Sequence, residues 1–480
     1  MFDEIIDKEK KNIIDSICEI VKFPSVSMDN DSDNAPFGDD CKKALEYILD
    51  LGTKMGFKTK NLDGFCGYIE FGEGEEIVGI MGHLDVVPAL EEDGWTNPPF
   101  SPIVRDNKIF GRGTLDDKGP TIASLYAMKA VSDNAKISKR VRLILGLNEE
   151  KADWKCIKHY KENEEFPTLG FTPDANFPGI YAEKGILSIS ITHEFEIDDM
   201  TVIDVDCKNN AINVVPKYCS ITLKYNSKEN RKVFKPLYDD EFKRKIEIQN
   251  IDEDTIKIIS TGISAHAAHP ELGVNAITNL IYYLSVNDDT IKKEPKFEFL
   301  KKMYYLGLFC IESPEFLSRK DIKRPTEFEQ DSVIIDESGI LTSNVAVLDY
   351  SDNSICVKIN LRVPVKTSLD DIIGKYNELK HIYPNIKVEC INRQEPLYVQ
   401  KDSDLVKTLV GIFNKRTSST TEPIAVGGGT YARAFDNFIA FGPSFPGDID
   451  MCHQVDEYID IDKLILSTKI YAEAIYELAK

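Results

Sequence analysis

A short apolar run that ends in a histidine and an acid, IVGIMGHLD at 77–85, constrains this chain more than any other stretch. Residues 77–82 predict a buried strand, and His83 and Asp85 follow directly at its carboxyl end. In an open α/β sheet, ligands bind beyond the carboxyl ends of the strands. An imidazole placed there, with a carboxylate two residues later, fits a metal ligand and a partner that orients it. A polar turn after a strand would give the same short pattern, so the interpretation depends on the other stretches.

Size, charge and cysteine usage limit the classes of protein to consider. A chain of 480 residues is too long for one compact core, which predicts two domains. The net charge of −22 argues against binding to nucleic acid or to an anionic membrane. The N-terminus has no signal-peptide core and no long apolar run follows, so we expect a cytoplasmic protein. The ten cysteines include no C-x-x-C pair, which favours reduced thiols over a disulfide framework or a cysteine-based zinc site.

The order of predicted elements indicates an α/β domain that is interrupted by an insert. Apolar runs at 77–82, 140–147 and 168–171 predict strands, and helical patterns alternate with them, which is typical of a mainly parallel sheet with helices on both faces. From residue 186 to 383, short alternating strands such as 212–215 and an apolar helix at 276–284 predict an α+β domain. The α/β pattern returns at 384–480, so the catalytic domain would comprise 1–185 and 384–480. Segment 287–331 yields no assignment.

Further polar side chains follow the predicted strands or lie in loops. They are Asp116 and Asp117, Glu149 and Glu150, Asp174, and His453 near the C-terminus. Each has an ordinary alternative: an acidic helix start for the glutamates, a polar turn for the aspartates and a surface position for the histidine. Together, however, two imidazoles and several carboxylates are costly to bury without a cation. They have the N/O composition that zinc favours, and carboxylates can bridge two ions.

Nine motifs in the same order resemble the di-zinc aminoacylase/carboxypeptidase metallopeptidases, and among these the PepV-type dipeptidases, the Xaa-His or carnosinase-like enzymes. The motifs are GHLDVVP at 82–88, GRGTLDDKGP at 111–120, NEE at 148–150, TPDANFP at 172–178, NVVP at 213–216, GISAHAAHP at 262–270, NLRVP at 360–364, GGGTYAR at 427–433 and CHQVDEY at 452–458. The resemblance spans nearly the whole chain, and the order of the motifs is far more specific than any one of them.

The resemblance implies a ligand set for two Zn²⁺ ions, for which Mn²⁺ or Co²⁺ could substitute. His83, Asp116 and Asp174 would hold one ion, and Asp116, Glu150 and His453 would hold the other. Each ion would then have three protein ligands and an open position for water or substrate. Asp116 would bridge the two ions.

The resemblance also implies the roles of neighbouring groups. Asp85 would orient His83, and the Asp116–Asp117 peptide would be a cis bond that involves no proline. Glu149 would take a proton from a water that the ions acidify, and would deliver it to the leaving amine.

In the insert, which would be the lid of the family, the resemblance implies substrate contacts. His266 would stabilise the oxyanion, and Asn213, Arg362, Gly428 and Gly429 would hold the C-terminal part of the substrate. Taken alone, the histidine would be interpreted as a loop residue and the arginine as part of a surface ion pair. The glycine run lacks the lysine and the spacing of a phosphate-binding loop. The additional His269 of the insert has no implied role.

These implications define one predicted function and its alternatives. We expect a zinc-dependent dipeptidase, a metallopeptidase acting on small peptides with a free N-terminal amine. A lid of this length, with two ferredoxin-like lobes, is similar to the PepV arrangement and predicts a monomer. The alternatives are an N-acyl amino acid or succinyl-diaminopimelate amide hydrolase of the same family, and a non-catalytic peptide-binding module. No required residue is missing, which disfavours the last of these.

Overall fold

The computed structural model describes residues 2–480 except for 31, 33, 152, 195–201, 209, 225–233, 240–242, 288–294, 306–333 and 352–353. The chain folds into two compact units, each built from separate stretches of the sequence. The first unit consists of Met1–Ala182, Leu397–Ile424 and Gly429–Lys480, and the second of Glu183–Pro396 and Ala425–Gly428. Among the described residues, none of the helices is both long enough and apolar enough to span a lipid bilayer.

The first unit contains six of the described helices. They are α1 (Asp3–Val21), α2 (Asp39–Lys54), α3 (Lys118–Asn134), α4 (Lys155–Asn163), α9 (Asp404–Thr417) and α10 (Ile461–Ala479). Side chains that accept hydrogen bonds from backbone amides cap the start of two of these helices. The Asp460 side chain accepts hydrogen bonds from the amides of Asp462 and Lys463 at the start of α10. The Ser403 hydroxyl accepts one from Val406 N at the start of α9.

The strands of the first unit form one large mixed sheet, one three-stranded sheet and one two-stranded sheet. The strands are β1 (Lys58–Leu62), β2 (Cys66–Phe71), β3 (Ile77–His83), β4 (Ile103–Arg105), β5 (Lys108–Phe110), β6 (Arg140–Gly146), β7 (Leu169–Thr172), β8 (Ala175–Asn176), β9 (Ile180–Glu183), β21 (Leu397–Tyr398), β22 (Ile424–Val426), β23 (Phe438–Ala440), β24 (Pro443–Ser444) and β25 (Tyr458–Asp460). The large sheet has the order β1-β2-β6-β3-β7-β23-β9-β21. β3 is buried along its whole length and runs parallel to both β6 and β7.

Burial explains why β3 lacks the alternation of a half-exposed strand. All seven of its residues are buried, as are six of the seven in β6. Strands that are covered on both faces appear as nearly continuous apolar runs. The helices α3 and α10 pack against β3 and β6, and α2 and α4 pack against β2.

Among the described residues, the second unit contains two large antiparallel sheets, one two-stranded antiparallel sheet and the remaining helices. Its strands are β10 (Gly185–Glu194), β11 (Val202–Asp206), β12 (Tyr218–Lys224), β13 (Leu237–Asp239), β14 (Arg244–Asn250), β15 (Thr255–Thr261), β16 (Ile335–Asp336), β17 (Gly339–Ile340), β18 (Thr342–Ser351), β19 (Ser354–Val363) and β20 (Ile386–Gln394). Its helices are α5 (Ala276–Asn287), α6 (Pro295–Tyr305), α7 (Leu369–Asn377) and α8 (Leu379–Ile382). The sheet orders are β18-β19-β10-β20 and β11-β12-β15-β14-β13. The predicted fold class, an α/β domain interrupted by an α+β domain, is confirmed.

Three details differ from the sequence-based expectation. The second unit extends to Pro396 rather than 383, because β20 pairs along its length with β10. Residues 212–215 form no regular strand; the side-chain amide of Asn210 donates to the carbonyls of Ala211 and Val214 and shapes a turn instead. Of the unassigned segment 287–331, residues 295–305 form α6, and 306–331 lie outside the described residues.

Candidate metal centre and catalytic site

Three neighbouring parallel strands bring polar side chains to one edge of the large sheet. β3 ends in His83, β6 leads within four residues to Glu150, and β7 leads within two residues to Asp174. Because β6, β3 and β7 are adjacent and parallel, their carboxyl ends meet at this edge. Asp116 arrives from a different direction, on the loop just before α3.

The Asp116 carboxylate lies between two groups of side chains. Its Oδ1 atom lies 3.0 Å from His83 Nε2, and Asp174 Oδ2 is 3.6 Å from the same ring nitrogen. Its Oδ2 atom lies 3.1 Å from His453 Nε2, which is also 3.1 Å from Glu150 Oε2. The two oxygens of one carboxylate are therefore divided between two N/O clusters.

His83 is held in one ring orientation. Its Nδ1 atom donates a hydrogen bond to the backbone carbonyl of Asp85 at 2.9 Å, so Nε2 faces Asp116. The Asp85 carboxylate is further away, 3.6 Å from Nδ1. That carboxylate instead accepts the backbone N–H groups of Glu149 and Glu150, each at 3.1 Å. Asp85 thus orients the imidazole mainly through its main chain and fixes the glutamate pair through its side chain.

Asp117 and Thr121 tie the Asp116 loop to β3. The Asp117 carboxylate accepts a hydrogen bond from His83 N at 3.0 Å and another from the Thr121 hydroxyl at 2.9 Å. The Asp116–Asp117 peptide bond is cis, as the resemblance implies. Both aspartates are buried.

Glu457 is a fully buried carboxylate that the sequence interpretation missed. Its Oε1 atom accepts hydrogen bonds from the backbone amides of Gly113, Leu115 and Asp116 at 3.0, 2.9 and 3.2 Å. Its Oε2 atom pairs with Arg112 at 2.6 Å. A signal was present, since Glu457 follows His453 within the CHQVDEY motif, but an acidic residue in a polar loop does not itself reveal burial.

Three acidic members of the cluster, Glu149, Glu150 and Asp174, bind protons more tightly than ordinary carboxyl groups. Burial and the Asp116 charge raise the pKa of Glu150 to about 7 and that of Asp174 to about 6. Burial also raises the pKa of Glu149 well above its usual range; the His83 charge opposes this shift and the Asp174 charge adds to it. Buried negative charges repel one another, so these groups favour either protons or a cation.

The pKa values of the two histidines and of Asp116 shift in the direction opposite to the effect of desolvation. The His453 side chain is 51% exposed. Its partial desolvation would lower its pKa, but hydrogen bonds to Asp116 and Glu150 outweigh this effect and raise the pKa to about 11. Hydrogen bonds to Asp116, Asp174 and Asp85 likewise outweigh burial and raise the pKa of His83. Burial would raise the pKa of Asp116, but its hydrogen bonds to the two histidines lower it below its usual range.

Three of the clustered side chains could hold a metal ion. His83, Asp116 and Glu150 offer ligand atoms that all lie within 4.8 Å of one another. Without a cation, protonated imidazoles would supply the positive charge that offsets the carboxylates. A divalent cation can take the place of these protons, since neutral imidazole and carboxylate oxygen are ordinary zinc ligands.

The predicted substrate residues of the second unit form a connected set. Asn213 O accepts a hydrogen bond from Ala267 N at 2.8 Å, and Val214 forms an isolated β-bridge with His266. The backbone N–H of Ala268 donates to His266 Nδ1 at 3.2 Å, so the neutral ring carries its proton on Nε2. Asn213 and His266 are both exposed.

Arg362 extends this set to the glycine run. The buried guanidinium donates from Nε to Asn360 Oδ1 at 3.0 Å and from Nη1 to Gly427 O at 2.9 Å. Gly427 also lies close to Ala268, since a Cβ placed on the glycine would be 3.2 Å from the alanine Cβ. Gly428 belongs to the second unit, whereas Gly429 belongs to the first. His269 pairs with Glu271 at 3.2 Å.

A mixed α/β domain with an acidic, histidine-containing site at its strand ends suits a metal-dependent hydrolase. Residues 79–477 match the profile of Peptidase family M20/M25/M40, and the chain belongs to this family. The metallopeptidase class predicted from the motifs is therefore confirmed.

Three known proteins illustrate the similarity. YtjP of Bacillus subtilis (strain 168), which carries the provisional name of a dipeptidase, is 37% identical, and the match spans 99% of both chains. Human carnosine dipeptidase 1 has a similar structure, with a TM-score of 0.59 at 13% identity over 99% of this chain and 98% of that one. The Bacillus subtilis YxeP protein, described as a dinuclear metal-binding peptidase, gives 0.55 at 10% identity over 98% and 99%.

Proposed function

We propose that the protein is a zinc-dependent dipeptidase that cleaves the peptide bond of dipeptides with a free N-terminal amine. The observation that carries the proposal is the position of Asp116, with one oxygen beside His83 and Asp174 and the other beside His453 and Glu150. Such a carboxylate suits a pair of divalent cations. The names of YtjP and carnosine dipeptidase 1 support the substrate class, and the description of YxeP supports two metal ions.

In this proposal His83, Asp116 and Asp174 bind one Zn²⁺, and Asp116, Glu150 and His453 bind the other. When bound, the ions lower the pKa of water and polarise the scissile carbonyl. His83 presents Nε2 because its Nδ1 donates to the Asp85 carbonyl. Side chains of the protein transfer the protons and bind the substrate.

Glu149 acts as the general base and then as the general acid. It accepts the proton of the attacking water and returns that proton to the leaving amine nitrogen. Burial raises its pKa, which makes the carboxylate a stronger base than an exposed glutamate. The Asp85 carboxylate fixes the Glu149 backbone and so limits where the base can lie.

Apart from Gly429, the groups proposed to bind the substrate belong to the second unit. His266 donates a hydrogen bond from Nε2 to the carbonyl oxygen as negative charge develops there. Asn213, Arg362, Gly428 and Gly429 hold the C-terminal part of the substrate. A guanidinium suits a carboxylate because two of its N–H groups can bind both oxygens.

The test compares a set of free dipeptides with their N-acetyl forms, using protein stripped of metal and reloaded with Zn²⁺, Mn²⁺ or Co²⁺. We expect hydrolysis of free dipeptides only, loss of activity on metal removal and recovery with zinc. Preference for the N-acetyl forms would identify the amide hydrolase alternative. The absence of hydrolysis with any substrate, in protein that binds metal, would leave only a binding function.

We further propose that the enzyme is a monomer in the cytoplasm. The described part of the second unit contains two large sheets. A lid with two lobes resembles the PepV arrangement, in which the second lobe takes the place of a partner subunit. Light scattering should give the mass of one chain, 54.2 kDa. A mass of about twice that value would contradict the proposed monomer without affecting the proposed chemistry.

A further inference from the structure

Two cysteines of the second unit face each other across neighbouring strands. Cys207 directly follows β11, and Cys219 is the second residue of β12. The antiparallel register pairs Asp206 with Ser220, so the next opposed pair is Cys207 and Cys219. Their Sγ atoms lie 2.7 Å apart, and both residues are free thiols.

The residues on either side of Cys207 and Cys219 also lie opposite one another across the two segments. On one side, Val205 pairs with Ile221 and Asp206 with Ser220 in the sheet. On the other side, the Lys208 ammonium lies 4.0 Å from the centre of the Tyr218 ring. A disulfide requires an S–S distance of about 2.05 Å and nearby Cβ atoms. The sheet register already brings the two residues together, so the bond needs only a small side-chain adjustment.

The two thiols differ in their access to solvent. Cys219 is fully buried in the core of the second unit, whereas Cys207 is partly exposed. Burial, reinforced by the neighbouring Cys207 thiol, raises the pKa of Cys219 well above its usual range. The thiolate is the reactive form of cysteine, so Cys207 is the residue that meets an external reagent first.

We propose that Cys207 and Cys219 form a reversible disulfide when the protein meets a low-molecular-weight disulfide. The Cys207 thiolate attacks one sulfur of the reagent, which forms a mixed disulfide and releases one small thiol. The Cys219 sulfur then attacks the Cys207 sulfur, and the Cys219 proton passes to the departing small thiolate, which leaves as the second small thiol. Two protein thiols are oxidised, one small disulfide is reduced to two thiols, and a dithiol reagent reverses the change.

The bond would close the segment 208–218, which contains Asn213. This segment is hydrogen-bonded to the chain that carries His266: Val215 N donates to Ala265 O at 2.9 Å and Ala267 N donates to Asn213 O at 2.8 Å. The disulfide would therefore restrain the base of a segment that the proposed function assigns to substrate binding. Only that assignment rests on the proposed function; formation of the bond does not.

The test starts from the folded, full-length chain incubated with oxidised glutathione. Free thiols are then alkylated and the protein is digested with trypsin without reduction. The expected product joins peptide 185–208 to peptide 218–224, since each contains one cysteine of the pair and no other. Treatment with dithiothreitol before alkylation should return both peptides in the alkylated form.

Matched variants separate this pair from the other thiols. Cys207→Ser and Cys219→Ser should each abolish the joined peptide, whereas Cys390→Ser, which alters an exposed cysteine, should leave it unchanged. Cys207→Ser is the decisive variant, because its position is partly exposed and the substitution leaves the core intact. The oxidised wild-type protein should unfold roughly 5 °C higher than the reduced form, since a cross-link restricts the unfolded chain.

Two results would overturn the proposal. One is full alkylation of Cys207 and Cys219 after oxidation of the folded protein. The other is a joined peptide that forms only in denaturant, which would show that the fold does not align the two thiols. Neither result depends on peptidase activity, so failure here is distinct from failure of the proposed function.

Discussion

The side chain of Glu457 holds the backbone of Asp116: the Oε1 atom of Glu457 accepts a hydrogen bond from Asp116 N at 3.2 Å. The same oxygen accepts the amides of Gly113 and Leu115, and the other oxygen pairs with Arg112. Glu457 lies four residues after His453 in the sequence. One buried carboxylate therefore fixes the loop that presents the central acid of the site, next to the segment that presents a histidine.

Glu457→Gln should weaken metal binding without removing a proposed ligand. The amide nitrogen would face either a backbone donor or Arg112, and the guanidinium would lose its charged partner. Groups that orient metal ligands typically change metal affinity about 10- to 100-fold, and breaking a buried ion pair costs about 3–5 kcal/mol. Zinc titration against a competing chelator and thermal unfolding measure the two effects. Glu477→Gln, the same change beside Lys480 at the surface, is the control; a wild-type zinc affinity in Glu457→Gln would contradict the proposed role.

Asp116→Asn should reduce metal content and activity together. An amide keeps the size of the side chain but offers one oxygen instead of two and no charge. The variant should lose at least one of the proposed two equivalents of zinc, and its turnover should fall with the metal. Elemental analysis beside an activity assay tests this, with Asp133→Asn on the surface of α3 as the control. Two full equivalents with normal turnover would exclude Asp116 as a shared ligand.

Glu149→Gln should separate catalysis from metal binding. Glu149 contributes no proposed ligand, so zinc content should remain at the wild-type level. Loss of a general acid–base group usually lowers kcat by about 10²–10⁴-fold. Steady-state kinetics and elemental analysis on the same preparation make the comparison. Unchanged turnover in a fully loaded variant would assign the proton transfer to another group.

The metal-free protein should lose stability as the pH rises from about 4.5 to 7. The folded-state pKa values of Asp174 and Glu150, about 6 and about 7, lie above their ordinary values, so the folded state binds more protons in this window. Stability that depends on those protons is present at lower pH and disappears as they are lost. Zinc replaces the protons, so the gap between zinc-loaded and metal-free melting temperatures should widen with pH. A constant gap across pH 5 to 7 would contradict this coupling.

The elements that depend on local pattern were predictable from the sequence. The strand ending in His83, the strand preceding Glu150 and the terminal helix all have apolar runs or periodicity long enough to determine their type. The polar residues that follow these two strands were expected to lie at one edge of the sheet, because adjacent parallel strands place their carboxyl ends together. The structure brings His83, Asp116, Asp174, Glu150 and His453 to that edge.

Features that depend on long-range pairing were not predictable. The second unit ends at Pro396 because β20 pairs with β10, almost two hundred residues earlier, and no local signal at 383 reveals this. The role of Glu457 depends on backbone amides of residues 113–116, more than three hundred residues away. Asp85 was predictable as a partner of His83, but the group that makes the contact was not. The sequence cannot show that the backbone carbonyl of Asp85, rather than its carboxylate, accepts the hydrogen bond from His83.

His266→Ala should lower turnover while leaving metal content unchanged. The ring accepts a hydrogen bond from Ala268 N at Nδ1, so its Nε2–H can donate to an oxygen that gains charge during the reaction. One such donor is worth about 3–4 kcal/mol in a preorganised site, which corresponds to a loss in kcat of roughly 10² or more. Because the contact strengthens in the transition state, KM should change much less than kcat.

The matched control for this variant lies three residues further along the same loop. His269 is exposed and pairs with Glu271, and the proposed mechanism gives it no role, so His269→Ala should retain kcat and KM close to wild type. Elemental analysis distinguishes His266 from the histidines proposed as ligands, because His83→Ala and His453→Ala should lose zinc. A loss of zinc in His266→Ala would make it a ligand instead. An equal, small effect of both loop substitutions would show that the oxyanion is stabilised by another group.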